Sequence, residues 1–223
     1  MKSISHEHGK INSKIVSKQI ISTVFLTILT LLTMESQAQT FKTIENKDLK
    51  LEVYNASENS FGVASVIVSG KKDAVLIDTQ FTLADAEKVA QEIKKSGKKL
   101  TTIFVSHGDP DFYFGLEVFK KYFPEVTAYA TPATIEHIKA TAQKKLDVWG
   151  ERLGKNITSN VILPQVLKGN SIELEGHHLE IVGLQEFPSQ TFVWIPSIKA
   201  VVGGINVFGT TFHLWMADAQ TTE

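Results

Sequence analysis

His107, Asp109 and Asp111 lie within five residues of one another in the stretch TTIFVSHGDPDFYFG, from Thr101 to Gly115. An imidazole and two carboxylates spaced this closely can converge on one point. A divalent ion held there would lower the pKa of a bound water to about 7 and present hydroxide to a carbonyl or phosphoryl centre. The same residues, set among Gly108 and Pro110, are also common turn chemistry, an acidic loop capping the helix that follows. The residues alone leave both readings open.

The elements that must position this loop are legible around it. Thr101 to Val105 is a β-branched and aromatic run that predicts a strand, and an apolar-periodic segment follows the loop, so the loop joins strand to helix. Sites in layered α/β folds form at such strand ends. Upstream, Leu49–Tyr54, Gly62–Val68 and Ala74–Ile77 predict three strands, the last two joined by the polar turn 69–73, an antiparallel opening. Thr82 then stands as an N-cap with Asp85 three residues on. Leu83, Ala86, Val89, Ala90 and Ile93 share one helical face, and Gly97 closes the helix. Asp78, after the strand Ala74–Ile77, reads from the residues alone as a turn cap. Downstream come a short helix from Leu116 to Phe123, a strand Val126–Ala130, and a long helix capped by Thr131 and started by Pro132 that runs to about Trp149. His137 on that helix reads as a surface or packing residue. The rest reads as β: Val161–Leu167, Ser171–Leu174, His178–Leu184, Thr191–Ile195 and Ala200–Val202, with His177 and His178 exposed beside a turn.

The N-terminus reads as an address. Lys10, Lys14 and Lys18 precede the apolar run Ile20–Leu32, which ends in the small-x-small site Ser36-Gln37-Ala38. That run is shorter than the roughly 20 residues of a spanning helix. The expectation is a signal peptide over 1–38 and a mature domain over 39–223, exported to the periplasm or secreted, with no stable membrane insertion once the leader is cut. The chain carries 23 basic and 24 acidic residues; taking four Lys and two Glu away with the leader leaves 19 against 22, a charge of −3 that gives no reason to expect nucleic acid. With no cysteine, disulfides, thiolate-held zinc and thiol nucleophiles are excluded.

The signature stretch resembles the metal-binding loop of metallo-β-lactamase-fold hydrolases, His-x-His-x-Asp-His after a strand, and most closely a branch that reads SHPDPDHYFGLE where this chain reads SHGDPDFYFGLE. The blocks AVLIDTQ, FPEVTAYATPATIEHIKAT, LEIVGL, TFVWIPSIKAVVGG and HLWMADAQT occur in the family's order, so the resemblance spans Leu51 to the C-terminus. It implies an αββα sandwich. It also implies a metal-activated water attacking an ester, lactam or similar bond of a small-molecule substrate, with Asp111 orienting that water. His107 matches a zinc ligand, Asp109 stands where most of the family has a second histidine, Asp111 matches the acidic residue that binds the second metal and holds the water, Asp78 matches an acidic position that supports the site without binding metal, and Glu186 falls at the place of a later histidine ligand. His213 and Asp218 match residues of a later loop, His213 being equally readable as a packed side chain.

Three departures qualify those expectations. Phe112 replaces a histidine of the second metal position, and a phenyl ring has no lone pair to give. Gly204 stands where the family has a bridging aspartate. The chain stops at Glu223 where the family continues through a final helix, a strand and a further metal ligand, which predicts an incomplete sandwich that self-associates or dissolves poorly. The resemblance therefore implies one Zn²⁺ rather than two, with Mn²⁺ or Mg²⁺ as oxygen-tolerant substitutes. The alternative is an inactive pseudoenzyme or binding protein that keeps the fold.

Overall fold

In the computed structural model the described residues are 41–205, within the unit Gln39–Glu223. The leader at 1–38, His213 and Asp218 lie outside the described residues. Strands β1 (Phe41–Glu45), β2 (Lys50–Asn55), β3 (Ala64–Ser69), β4 (Asp73–Ile77), β5 (Lys99–Phe104), β6 (Thr127–Ala130) and β7 (Gln165–Val166) form one sheet in sequence order. β1 to β4 pair antiparallel and β4 to β7 parallel. A second, antiparallel sheet holds β8 (Ser171–Leu174), β9 (His177–Val182), β10 (Phe192–Ile195) and β11 (Ala200–Val202) in the order β11-β10-β9-β8.

The period-two alternation of the large sheet decides what faces what. Ile67, Ala74, Leu76 and Ile103 point to the helices, while Val66, Val68, Val75, Ile77 and Phe104 point to Ile172, Leu179, Ile181, Val193 and Ile195 of the small sheet. Each fully buried aliphatic contributes about 1.5–3 kcal/mol, so a one-residue slip of register would expose a whole face. On the helical side, α1 (Leu83–Ser96) buries Ala86, Val89, Ala90 and Ile93 as its periodicity predicts. It is capped by Thr82, whose hydroxyl accepts from the Asp85 N–H at 3.2 Å, and it ends at Gly97 with φ 70°. The signature loop carries the short α2 (Pro110–Tyr113) and leads into α3 (Leu116–Tyr122). The long helix α4 (Pro132–Leu153) starts from Thr131, as expected, and runs a turn beyond Trp149.

Helices, large sheet and small sheet make three successive layers of the expected sandwich. One strand was not anticipated and one strand expectation needs correction. β1 is an edge strand with a single half-buried residue, Phe41, packed on Tyr54 at 5.1 Å, so it carries almost no burial signal. The run Val161–Leu167 pairs only through Gln165 and Val166, because Pro164 has no N–H to give a ladder.

Candidate metal centre

The loop begins where β4 and β5 end side by side. Asp78 leaves β4 with φ 61°, a left-handed conformation costly for a residue with a Cβ, and its carboxylate accepts the Ser106 N–H and hydroxyl, both at 2.8 Å. Gly204 adds its N–H at 3.4 Å, and also donates to the Ser106 hydroxyl at 3.0 Å. Thr191 donates its N–H and its hydroxyl to the Ser106 carbonyl. Ser106 precedes His107, so this corner fixes the point from which the histidine departs. Asp78 is thus a support for the loop, of the two readings its sequence allowed. Burial pushes its carboxyl up to about 7, against the pull of the Ser106 and Gly204 donors.

Gly204 could not carry a side chain here without movement. Its φ is 81°, and a Cβ would lie 2.5 Å from the Thr191 carbonyl oxygen. On the other side of the loop, the Thr79 N–H and hydroxyl donate to the Phe112 carbonyl, and Gly115 passes so close that a Cβ would sit 1.9 Å from the Thr79 oxygen.

His107 is 4% exposed, and its Nδ1 accepts the Asp109 N–H at 3.2 Å. Burial holds the ring down to about 4, with Asp109 opposing and His137 and Lys145 reinforcing. Asp109 Oδ2 stands 3.4 Å from that Nδ1. The other carboxylate oxygen, Oδ1, accepts from the ammonium of Lys145 and lies 3.7 Å from His137 Nε2. Burial works to raise the Asp109 carboxyl, and His107, Lys145 and His137 more than offset it, holding it below the usual carboxylate range. Asp111 is half-buried as a residue but its carboxyl lies deep, and burial with the neighbouring Asp109 charge pushes it up to about 7. The Phe112 ring stands edge-on to His107 at 5.1 Å.

Glu186 is exposed in the turn between β9 and β10, whose far end meets the loop through the His107–Gln190 bridge. Among the described residues, no three His, Asp or Glu side chains are grouped so as to hold a metal. His107 and Asp109 are brought together, and Glu186 does not join them.

Two residues at the centre had no role in the sequence reading. His137 and Lys145, both from α4, reach the loop across 30 and 36 positions. Their separation of eight places them near one another after about two helical turns, on a helix with many other polar residues.

The family described as "Metallo-beta-lactamase superfamily" matches residues 59–193, most of the described chain. The chain belongs to that superfamily. Among solved structures it is similar to a metallo-beta-lactamase from Pontibacter korlensis, with 18% identity and a TM-score of 0.55, covering 78% of this chain and 75% of that one. DIM-1 metallo-beta-lactamase gives 20% identity and a TM-score of 0.53 over 78% and 73% of the two chains. VMB-1 gives 16% and 0.58 over 81% and 78%. No curated protein matches in sequence. Likeness at these identities is likeness of fold.

The superfamily's fold is one of metal-dependent hydrolases that generally bind zinc, so the donor set here can be tested against that ion. The described residues alone do not supply a full set for it. A protein zinc site takes three or four side-chain donors, whereas His107 and Asp109 gain no third from the described residues. Phe112 fills the flank of His107 with carbon, and the Asp109 oxygen that would face a metal is engaged by Lys145. Nor does any helix among the described residues have the length and apolarity to cross a membrane.

Proposed function

We propose that this protein is an exported member of the metallo-β-lactamase superfamily that has kept the hydrolase scaffold, lost its hydrolytic metal centre, and serves to bind a small molecule at the loop face. The observation that carries this reading is the His107–Asp109 pair, which has no third donor among the described residues and lies against the Phe112 ring. Export is supported by the leader-like sequence over 1–38, and a small-molecule partner by the family to which the chain belongs.

The test has two arms on full-length mature protein. Elemental analysis after dialysis against zinc should find well under one ion per chain at His107, with His107→Ala changing nothing. Turnover of a panel of β-lactam, ester, thioester and phosphoester substrates should stay at the level of a buffer blank. Zinc-dependent hydrolysis that His107→Ala abolishes would overturn the reading in favour of a single-metal hydrolase drawing on Glu186 and His213.

A further inference from the structure

We infer that the distal part of α4, 139–153, is a strap across the loop face: it closes over His107 by seating Lys145 on Asp109 and Trp149 on Phe61, and it lifts to let the small molecule reach the histidine. The inference rests on the small-molecule reading of the loop face above and adds how the ligand gains entry.

The two long helices are held very differently. α1, of 14 residues, buries Asp85, Ala86, Val89, Ala90 and Ile93 along its length. α4 has 22 residues and buries only Thr134, Ile135 and Ile138, all within its first two turns. No residue from 139 to 153 is buried; Ala142, Leu146, Trp149 and Leu153 pack on the core half-buried, and most of the other positions are polar. A segment with so few buried apolar contacts opens on its own, well short of the unfolding of the domain. The flank that carries Ala142 and Leu146 also faces a groove of about 430 Å³ toward Val161 and Leu163, so the helix has room to move on that side.

What the distal part covers is the signature loop. His107 is 4% exposed, with the His137 ring 6.2 Å away on its α4 side. Lys145 donates to Asp109 Oδ1 and to the Gly108 carbonyl at 3.3 Å. Trp149 stands four residues on, hence on the same helical face, and its ring meets Phe81 at 5.1 Å and Phe61 at 5.4 Å, edge-on to both. The closing contacts are thus one ion pair and one aromatic edge, with Lys145 20% and Phe61 51% exposed, and both can part without disturbing the core. Phe61 is held at φ 58°, so a strained backbone lies where the strap lands.

Both ends of α4 stay tied. Thr131 accepts the Thr134 N–H at 3.0 Å at the start, and past the helix the Asn156 side chain accepts the Ala84 N–H at 2.9 Å. Between the last turn and that second tie stands Gly154, at φ 54° and ψ −122°, a conformation that glycine adopts readily and that lets the distal turns swing.

The experiment is hydrogen exchange read by mass spectrometry, with modification of His107 by diethyl pyrocarbonate as a second readout, on full-length mature protein in chelator. Circular dichroism checks each fold. The variants are Lys145→Met, Trp149→Ala and Phe61→Cys/Trp149→Cys, the last bridged by a reducible bismaleimide that meets no other thiol, since the chain has no cysteine. Amides of 139–153 should exchange at least about tenfold sooner than those of α1. His107 should react at least about fivefold faster in Lys145→Met and in Trp149→Ala than in wild type, and at least about fivefold more slowly in the bridged double variant than after its reduction, while the exposed His178 reacts alike in all. Trp149 packs on Phe61 and Phe81, so its effect on His107 reports movement of the helix rather than loss of a neighbour. Amides of 139–153 as protected as those of α1, or a His107 rate unchanged by Trp149→Ala or by the bridge, would overturn the strap and leave the metal-free reading intact. Zinc-dependent turnover abolished by His107→Ala would overturn that reading instead.

Discussion

Two aspartates flank His107, Asp78 behind it and Asp109 beyond it, and they are held in opposite ways. Asp78 is 1% exposed and faces only neutral donors, the N–H and hydroxyl of Ser106 and the N–H of Gly204. Asp109 is paired with an ammonium and two imidazoles. Dipoles alone leave the buried Asp78 carboxyl raised to about 7, whereas His107, Lys145 and His137 together hold Asp109 low against its burial. The corner that shapes the loop therefore needs no ion. The corner that presents the loop to solvent carries one, the ammonium of Lys145. Scaffold and ligand set can part company because they are stabilised by different physics.

The strongest way to break the comparison is to push the family's aspartate into the scaffold corner. Gly204→Asp combines φ 81° with a Cβ 2.5 Å from a backbone oxygen, so it should cost about 3 kcal/mol or more in a urea melt without creating a metal site. A variant as stable as wild type would show that the corner is not rigid. Asp78→Ala strands the Ser106 N–H, which has the Asp78 carboxylate as its acceptor, and should cost about 2–3 kcal/mol.

Asp78→Asn sharpens the same point through pH. The folded carboxyl titrates at about 7 against an ordinary value of 3.8, so within that window the folded state holds a proton the unfolded state has released. Its contribution makes the protein less stable as pH rises from about 4 through about 7. His107, held down to about 4, acts in the opposite sense below its ordinary 6.5, so the informative quantity is the difference between variant and wild type. Denaturation from pH 4 to 8 should show that Asp78→Asn lacks the downward slope contributed by Asp78; parallel curves would contradict it.

Smaller effects are expected at the rim. Lys145→Met, at a partly exposed ion pair, should cost about 1 kcal/mol in chelator, measured by the same melts. Phe112→His restores a ligand type yet leaves Lys145 on Asp109, so elemental analysis should find no metal gained by the single variant. A full equivalent of zinc in Phe112→His would mean that the missing imidazole, rather than the lysine, keeps the centre empty.

Much of the scaffold was legible because it rests on short-range rules. Thr82, Gly97, Thr131 and Pro132 mark helix ends by local backbone chemistry, and the two faces of β3 and β4 follow from alternation. β1 was not, since four of its five residues are exposed and only pairing with β2 makes it a strand. At the site, the signature loop announced His107, Asp109 and Asp111, whereas His137 and Lys145 reach it only through the packing of α4. A histidine and a lysine on a helix look alike whether they meet solvent or a carboxylate. Gly108 carried the clue, as a residue too small for its place in the resembling motif, but its meaning needed the ring that fills the space.

The most direct measurement is a crystal structure of the wild-type protein grown with equimolar zinc, with diffraction recorded on both sides of the zinc absorption edge. Lys145 holding Asp109, and no anomalous peak within bonding distance of His107, is the result expected if the lysine is the cation of this centre. A zinc peak coordinated by His107 and Asp109, with Lys145 swung away, would contradict it.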